Sequence, residues 1–205
     1  MSIVFVSAIL AGCRVSPFPD SSRDADVLAE QKQHCEPPSV EIVKGWGMNG
    51  VSTGCYIQIG DFSVAKDGYI QLRGHYAGGR RTGKWRWFTP DGNVMNEVEY
   101  RPSDVPEEGS SDGPYISATN MYQRPGRGDY VEILHQEEIS CPTPAVKMLR
   151  PWSNGNSIGC YVKHGTFYYV EGSYLHIQAK YVDGREAGIW TVYEEDGRVH
   201  RTIAH

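Results

Sequence analysis

The chain has 205 residues, of which 22% are charged and 11% are aromatic, and its formal net charge is −5. This composition is typical of a folded globular protein, because disordered chains contain few aromatic residues. No apolar run reaches the roughly 18 residues that a membrane-spanning helix requires. A general nucleic-acid binder needs a basic surface, so the mild acidity predicts that nucleic acid is not a partner.

Residues 2–12 are uncharged and mostly apolar, and they end at Cys13. A run of this length is too short to span a bilayer but suits the core of an export signal. Leu10-Ala11-Gly12-Cys13 resembles the lipobox of bacterial lipoproteins. The resemblance implies a signal peptide over 1–12, a diacylglyceryl group on Cys13 and attachment to a membrane of the cell envelope. In many lipoproteins of this type, Asp directly after the lipidated cysteine retains the protein in the inner membrane. Residue 14 is Arg, so the resemblance favours the outer membrane. A buried N-terminal strand with an incidental cysteine is the alternative.

A tether is predicted over residues 13–34, because its Pro, Ser and charged residues show no strand-like alternation. Within it, residues 24–33 could form one or two helical turns.

The remainder of the chain contains an internal repeat. Residues 55–100 align without a gap with residues 160–205, which lie 105 positions later, and thirteen residues are identical. With one residue skipped, the match extends upstream to Cys35 and Cys141, so the unit runs over 35–100 and again over 141–205. The identical residues are mostly cysteines, glycines, aromatics and turn formers, and Arg80 and Arg185 are the exceptions. The identical pairs include Tyr56/Tyr161, Phe62/Phe167, Tyr76/Tyr181, Gly79/Gly184 and Trp85/Trp190.

Each unit contains two cysteines, and Cys13 is the fifth. A duplicated unit in an exported protein most simply carries its own bridge, which predicts Cys35–Cys55 and Cys141–Cys160. Crossed pairing between the units is the alternative. The cysteines show no CxxC or CxxH spacing, so no metal ion is expected.

The units read as antiparallel strands. Residues 69–76 alternate with period two, placing Ile70, Leu72, Gly74 and Tyr76 on one face, and residues 174–181 repeat the pattern. A glycine-marked loop, a short aromatic strand and an Asp-Gly turn follow in both copies. We therefore predict an all-β fold of two small antiparallel meander modules, each stapled by a disulfide. The sequence leaves open whether the modules pack together.

The first meander also resembles a known repeat. The spacing of Tyr76, Gly79, Arg80, Gly83, Trp85, Phe88, Asp91 and Gly92 is similar to that of MORN-type repeats, in the variant found in YwqK-type proteins. The second copy has the matching pattern from Tyr181 to Gly197. The resemblance implies a β-hairpin over these residues.

A linker is predicted over residues 101–140. Its first part, residues 101–114, is acidic and rich in Pro and Ser, which indicates a loop. Residues 114–123 and 130–136 predict a hairpin.

No catalytic residue and no cofactor are predicted, because the chain lacks a GxSxG motif, a P-loop and metal-ligand spacing among its seven histidines. Residues 79–87 contain four cations and two tryptophans that the second unit does not repeat in full. Candidate binding residues are therefore Arg80, Arg81, Lys84, Arg86 and Trp87, which could stack on sugars or hold an acidic polymer. Local ion pairing is the alternative.

The shared residues are those of a scaffold. We expect Trp85 and Trp190 to be equivalent core anchors, and Trp87 to be free for a role in the first unit alone. The function predicted is that of an envelope-anchored lipoprotein acting as a binding or structural module for a protein or glycan partner. A hydrolytic envelope enzyme with a carboxylate site is the alternative.

Overall fold

The computed structural model describes residues 26–28, 30–31, 35–46, 50–101, 129–152 and 155–205. The predicted signal peptide, Cys13, most of the predicted tether and residues 102–128 lie outside this part. In the described residues, no helix is long and apolar enough to cross a bilayer.

The prediction of an all-β fold is confirmed. The strands of the first copy are β1 (Val40–Trp46), β2 (Gly50–Lys66), β3 (Tyr69–Ala77), β4 (Arg80–Phe88) and β5 (Val94–Tyr100). Those of the second are β6 (Val146–Trp152), β7 (Gly155–Glu171), β8 (Tyr174–Val182), β9 (Arg185–Tyr193) and β10 (Val199–Ala204). A helix, α1 (Asp129–Gln136), precedes the second copy, and residues 26–28 are helical before the first.

The ten strands form one antiparallel sheet in the order β10-β9-β8-β7-β2-β3-β4-β5, with β1 paired to β2 and β6 to β7. Strands β2 and β7 are each 17 residues long and pair with each other. On its other side, β2 pairs first with β1 and then with β3. Strand β7 does the same with β6 and β8. The two units are therefore joined through equivalent strands.

The junction explains two pairs of shared residues. Ile57 faces Val162, its counterpart in the second copy, so an approximate two-fold axis passes between them. On one side of this axis Phe167 is in register with Gly54, and on the other Phe62 is in register with Gly159. A Cβ added to Gly54 would lie 2.2 Å from the Phe167 ring. Each copy thus provides a phenylalanine that covers the other copy's glycine.

The sheet has two different faces. The aromatic face holds shared aromatic residues in two clusters, which include Tyr56, Phe167 and Tyr181 in one and Phe62, Tyr76 and Trp85 in the other. The opposite face, which we call the helix face, is covered by the two helical segments. On it Leu134 of α1 packs against Ala65 and Ile158, and Leu28 packs against Val51 and Val170. Because Leu28 and Leu134 occupy matching places, the repeat begins upstream of its predicted start.

The predicted strand at residues 130–136 is wrong, because Asp129–Gln136 is helical. Apolar residues at 130, 133 and 134 fit helical spacing too, and burial of Leu134 against the sheet favours the helix.

The predicted phase of residues 69–76 is correct for Leu72 and Tyr76 but wrong for Ile70. A bulge between Val64 and Ala65 interrupts the alternation, and Ile70 packs on the helix face beside Ala65.

Both predicted disulfides are confirmed. Cys35 is bonded to Cys55 and Cys141 to Cys160, with Cα atoms 5.4 Å apart in each pair. The Asp-Gly turns are also present, and Gly92 and Gly197 both have φ of 82°. That conformation favours glycine, which accounts for its presence in both copies.

Candidate functional site

The basic and aromatic residues of β4 do not form one surface. Trp85 is fully buried on the aromatic face, and Trp87 packs partly buried against the same cluster. The Arg81 guanidinium lies 4.6 Å from the centre of the Trp85 ring and donates a hydrogen bond of 3.3 Å to the Tyr100 hydroxyl. These three side chains therefore belong to the packed core of the first unit.

The other cations of β4 lie elsewhere. Lys84 and Arg86 are exposed, alternate with Trp85 and both pair with Glu97, at 3.0 and 2.6 Å. Hydrogen bonds from Arg86 and Lys84 lower the pKa of the Glu97 carboxyl. Arg80 is exposed at the start of the strand. Arg81 and Trp87 thus lie on the aromatic face, whereas Lys84 and Arg86 lie on the opposite side of β4. The charges of Lys84 and Arg86 are paired with the Glu97 carboxylate.

A cleft of about 180 Å³ lies beside the end of α1, lined by residues that include Asp61, Ser63 and Arg73. Glu137 holds it together: its carboxylate accepts hydrogen bonds of 2.6 and 3.0 Å from Arg73 and one of 2.9 Å from Ser63. Asp61 is paired with His75 at 3.0 Å. Because these groups hydrogen-bond or pair with one another, the cleft is a structural contact that connects the end of α1 to the sheet.

A different group of side chains, the lysine–tyrosine cluster, lies on the aromatic face next to the two-fold axis. It consists of Lys44, Tyr56, Lys163, Tyr169 and Tyr181. Lys163 Nζ donates hydrogen bonds of 3.1 Å to the hydroxyls of Tyr169 and Tyr181, and it lies 4.2 Å from the centre of the Tyr181 ring. Lys44 Nζ lies 5.8 Å from the centre of the Tyr56 ring. Two ammonium groups thus rest on buried tyrosine rings, an arrangement that cation–π attraction stabilises.

The cluster has more positive than negative charge. Burial, followed by the charge of Lys44, lowers the pKa of Lys163, and burial also lowers the pKa of Lys44. Burial raises the pKa of Tyr56 and of Tyr169, so both hydroxyls stay protonated. None of the ion pairs among the described residues involves either lysine. The carboxylate that acts on Lys163, Glu186, is itself paired with His205 at 3.1 Å.

The related place on the other side of the two-fold axis has different side chains, and Val64 stands there at the position of Tyr169. Arg150 takes the place of Lys44 and lies 5.4 Å from the centre of the Tyr161 ring, as Lys44 does over Tyr56. Lys163 is replaced by Gln58, whose Nε2 is buried and has no hydrogen-bond partner among the described residues. The paired lysines are therefore specific to one side of the axis.

Sequence reasoning did not find this cluster, because it gave weight to identical positions only. One signal was available: Lys44 and Arg150 are both cations at matching places in the repeat. Lys163 gave no such signal, since Gln58 is neutral. Elsewhere in the described part of the chain, no group of three His, Cys, Asp or Glu side chains could hold a metal ion.

Comparison with known proteins gave no match to a family model, a curated protein or a solved structure.

Proposed function

We propose that the protein is a lipid-anchored envelope protein that acts as a binding module and holds an anionic protein or glycan partner on its aromatic face. The observation that carries the proposal is the lysine–tyrosine cluster, in which the ammonium groups of Lys44 and Lys163 lie over tyrosine rings and neither forms an ion pair with a described carboxylate. An anionic group from outside would compensate their mutual repulsion.

The location is inferred from the sequence. The apolar run that ends in the lipobox-like Leu-Ala-Gly-Cys13 supports export and lipidation, and the two disulfides suit an oxidising compartment. Because residues 26–28 are helical and Leu28 packs on the sheet, the predicted tether would extend from Cys13 to residue 25 at most, and its r.m.s. span would be about 20 Å. The aromatic face would then remain accessible to other components of the envelope.

The hydrolytic alternative has less support. In the cleft beside α1, the Glu137 carboxylate is occupied by Arg73 and Ser63, and Asp61 is paired with His75. A glycosidase-type pair needs one carboxyl that is free to donate a proton and another that is free to attack or to activate water.

Lipidation is tested by intact-mass analysis of the membrane-extracted protein. We expect loss of residues 1–12 and an acyl adduct on Cys13, and the Cys13→Ala variant should leave the membrane fraction. An unmodified Met1 species that is soluble after lysis would contradict the proposal.

Binding is tested by retaining envelope components on the immobilised full chain. The Lys44→Gln/Lys163→Gln variant should lose its anionic partner. A matched control, Lys147→Gln/Lys180→Gln, removes the same charge from two exposed strand positions outside the cluster and should retain the partner. Equal retention by both variants would contradict a role for the cluster.

A further inference from the structure

The sheet has two edge strands of different chemistry. Strand β5 lies at one end of the strand order and β10 at the other, and neither has a second partner among the described strands. An exposed edge carries backbone N–H and C=O groups that can pair with another chain, and natural proteins protect such edges with charged side chains. The two edges can be compared position by position, because β5 and β10 are equivalent strands of the repeat.

Strand β5 is protected in this way. It carries Glu97 and Glu99, which are exposed and lie two residues apart on the same face. If two β5 strands paired about a two-fold axis, the glutamates of one would lie opposite those of the other. Like charges in that arrangement are destabilising, so pairing of β5 with β5 is disfavoured.

Strand β10 lacks this protection. Thr202 and Ala204 stand 105 positions after Glu97 and Glu99, and both are exposed. With Ile203 between them they form an uncharged segment of the edge, and Thr and Ile are residues that favour β-structure. The edge at β10 is therefore the one that can accept another strand.

The apolar surface around β10 supports the same conclusion. Val199 of β10 is 57% exposed, and Ile189 of β9, which is in register with Ala204, is 67% exposed. A strand added beside β10 would cover part of Val199 and extend the sheet next to Ile189.

The charges of β10 indicate what register two copies of this strand would adopt. In an antiparallel pair with Thr202 on the two-fold axis, Arg201 of each copy faces Ile203 of the other. Moving the axis to Arg201 would place two arginines opposite each other, and moving it to Ile203 would place Arg201 opposite His205. The register about Thr202 avoids both.

The sheet already contains a junction of this kind. Strands β2 and β7 are equivalent in the repeat, and they pair antiparallel about an approximate two-fold axis. This pairing keeps the aromatic clusters of both units on one face of the sheet. A pair of β10 strands related in the same way would place the aromatic faces of two molecules on the same side.

We propose that two copies of the chain pair through β10, with Thr202 on the two-fold axis. The inference goes beyond the proposed binding function and does not depend on it. Its consequence for that function is bivalency: the dimer presents two lysine–tyrosine clusters on one surface, and a partner with repeated anionic groups can engage both.

The oligomeric state is measured by sedimentation equilibrium of the full chain carrying Cys13→Ala, over a range of concentrations. We expect a monomer–dimer equilibrium, with a dimer close to twice the 22.9 kDa of the chain. Thr202→Glu gives β10 the residue that β5 has at the equivalent position, and it should weaken the dimer by about tenfold because two carboxylates meet at the axis. Asn96→Glu adds the same charge to the exposed β5 edge and should leave the dimer unchanged.

A disulfide tests the register. Opposed Cα atoms in antiparallel strands are about 4.5–5.5 Å apart, a distance that a disulfide can span. In the same Cys13→Ala chain, Thr202→Cys should form a covalent dimer under mild oxidation, whereas Glu97→Cys, at the equivalent position of β5, should not. Three results would overturn the inference: a monomer at all concentrations, equal dimerisation by Thr202→Glu and Asn96→Glu, or equal cross-linking of the two cysteine variants.

Discussion

Trp85 and Trp190 occupy the same place in the two copies, but their burial differs. Each indole donates to an equivalent carbonyl, 3.3 Å to His75 O and 3.1 Å to Lys180 O. The Trp85 ring lies on Gly74, where an added Cβ would be 2.4 Å from the indole. The second copy has Ala179 at that position, and Trp190 is only partly buried.

This difference predicts unequal costs of truncation. Trp85→Ala should lower the free energy of unfolding by about 3–5 kcal/mol, the usual range for a fully buried large aromatic residue. Trp190→Ala and Trp87→Ala, which remove partly buried rings, should cost less. Denaturant unfolding of the three variants measures this order. A larger loss for Trp87→Ala than for Trp85→Ala would contradict the greater burial of Trp85.

The sequence predicted Trp85 as a core residue because the repeat places it at a fixed distance from two turn glycines. The partial exposure of Trp190 was not predicted, because the side chains around the two indoles differ: Arg81 and Tyr100 lie against Trp85, whereas His205 lies against Trp190. The role of Lys163 was not predicted for the same reason. Its partners, Tyr169 of β7 and Tyr181 of β8, come close to it only when the sheet is folded.

At the scale of elements, α1 is fixed to the sheet by an apolar contact and a polar one. The apolar contact is made by Leu134, which is fully buried in a cluster with Ile139 and the disulfide-bonded Cys160. The polar contact is made by Glu137, which directly follows the helix and forms an ion pair with Arg73. Arg73 lies 64 positions away from Glu137 in the sequence, and Cys160 is also distant from α1. Residues 130–136 could therefore be misread as a strand, because their apolar spacing fits both structures until the packing partner is known.

Leu134→Ala should lower the free energy of unfolding by about 2–5 kcal/mol, because it leaves a cavity between α1 and the sheet. Removing the bridge with Cys141→Ala/Cys160→Ala should cost about 3 kcal/mol in the chain-entropy model. Both changes act on the same cluster, so the triple variant should lose less than the sum of the two losses. Denaturant unfolding monitored by circular dichroism measures all three. Strict additivity would show that the helix and the bridge act independently.

At the scale of the whole molecule, the tyrosines of the aromatic face set the response to alkaline pH. Burial is the main cause that raises the pKa of Tyr56, Tyr76, Tyr161, Tyr169 and Tyr181. A raised pKa in the folded state contributes stability that is complete below the unfolded pKa of about 10 and is lost as the pH rises above it. Lys44 and Lys163 have lowered pKa values, so their contribution to the free energy of unfolding changes with pH in the opposite direction. These two lysines are outnumbered by the five tyrosines.

Unfolding free energy should therefore fall above about pH 10, and tyrosinate absorbance should appear together with loss of the β-sheet signal in circular dichroism. Gradual ionisation of these tyrosines near pH 10, with the sheet intact, would contradict their burial.

The sequence predicted two modules and left their packing open, and the structure makes each copy complete the other. Phe62 and Phe167 cross the junction to cover Gly159 and Gly54. The helix face shows the same exchange, because α1 covers Ala65 of the first copy together with Ile158 of the second. A repeat alignment cannot show this, since shared residues look the same whether they pack within a copy or between copies.

A chain cut between residues 102 and 128 tests this interdependence. Produced alone, the half that contains β1–β5 should lack cooperative unfolding, because β2 would lose its partner β7 and Phe62 its covering strand. Produced together, the two halves should copurify in a one-to-one complex with the spectrum of the intact protein. Gly54→Val should prevent this association, since its side chain would enter the Phe167 ring, whereas Gly45→Ala, which has open space around it, should not. Cooperative unfolding of the isolated first half would show instead that the copies are independent domains joined by a weak edge contact.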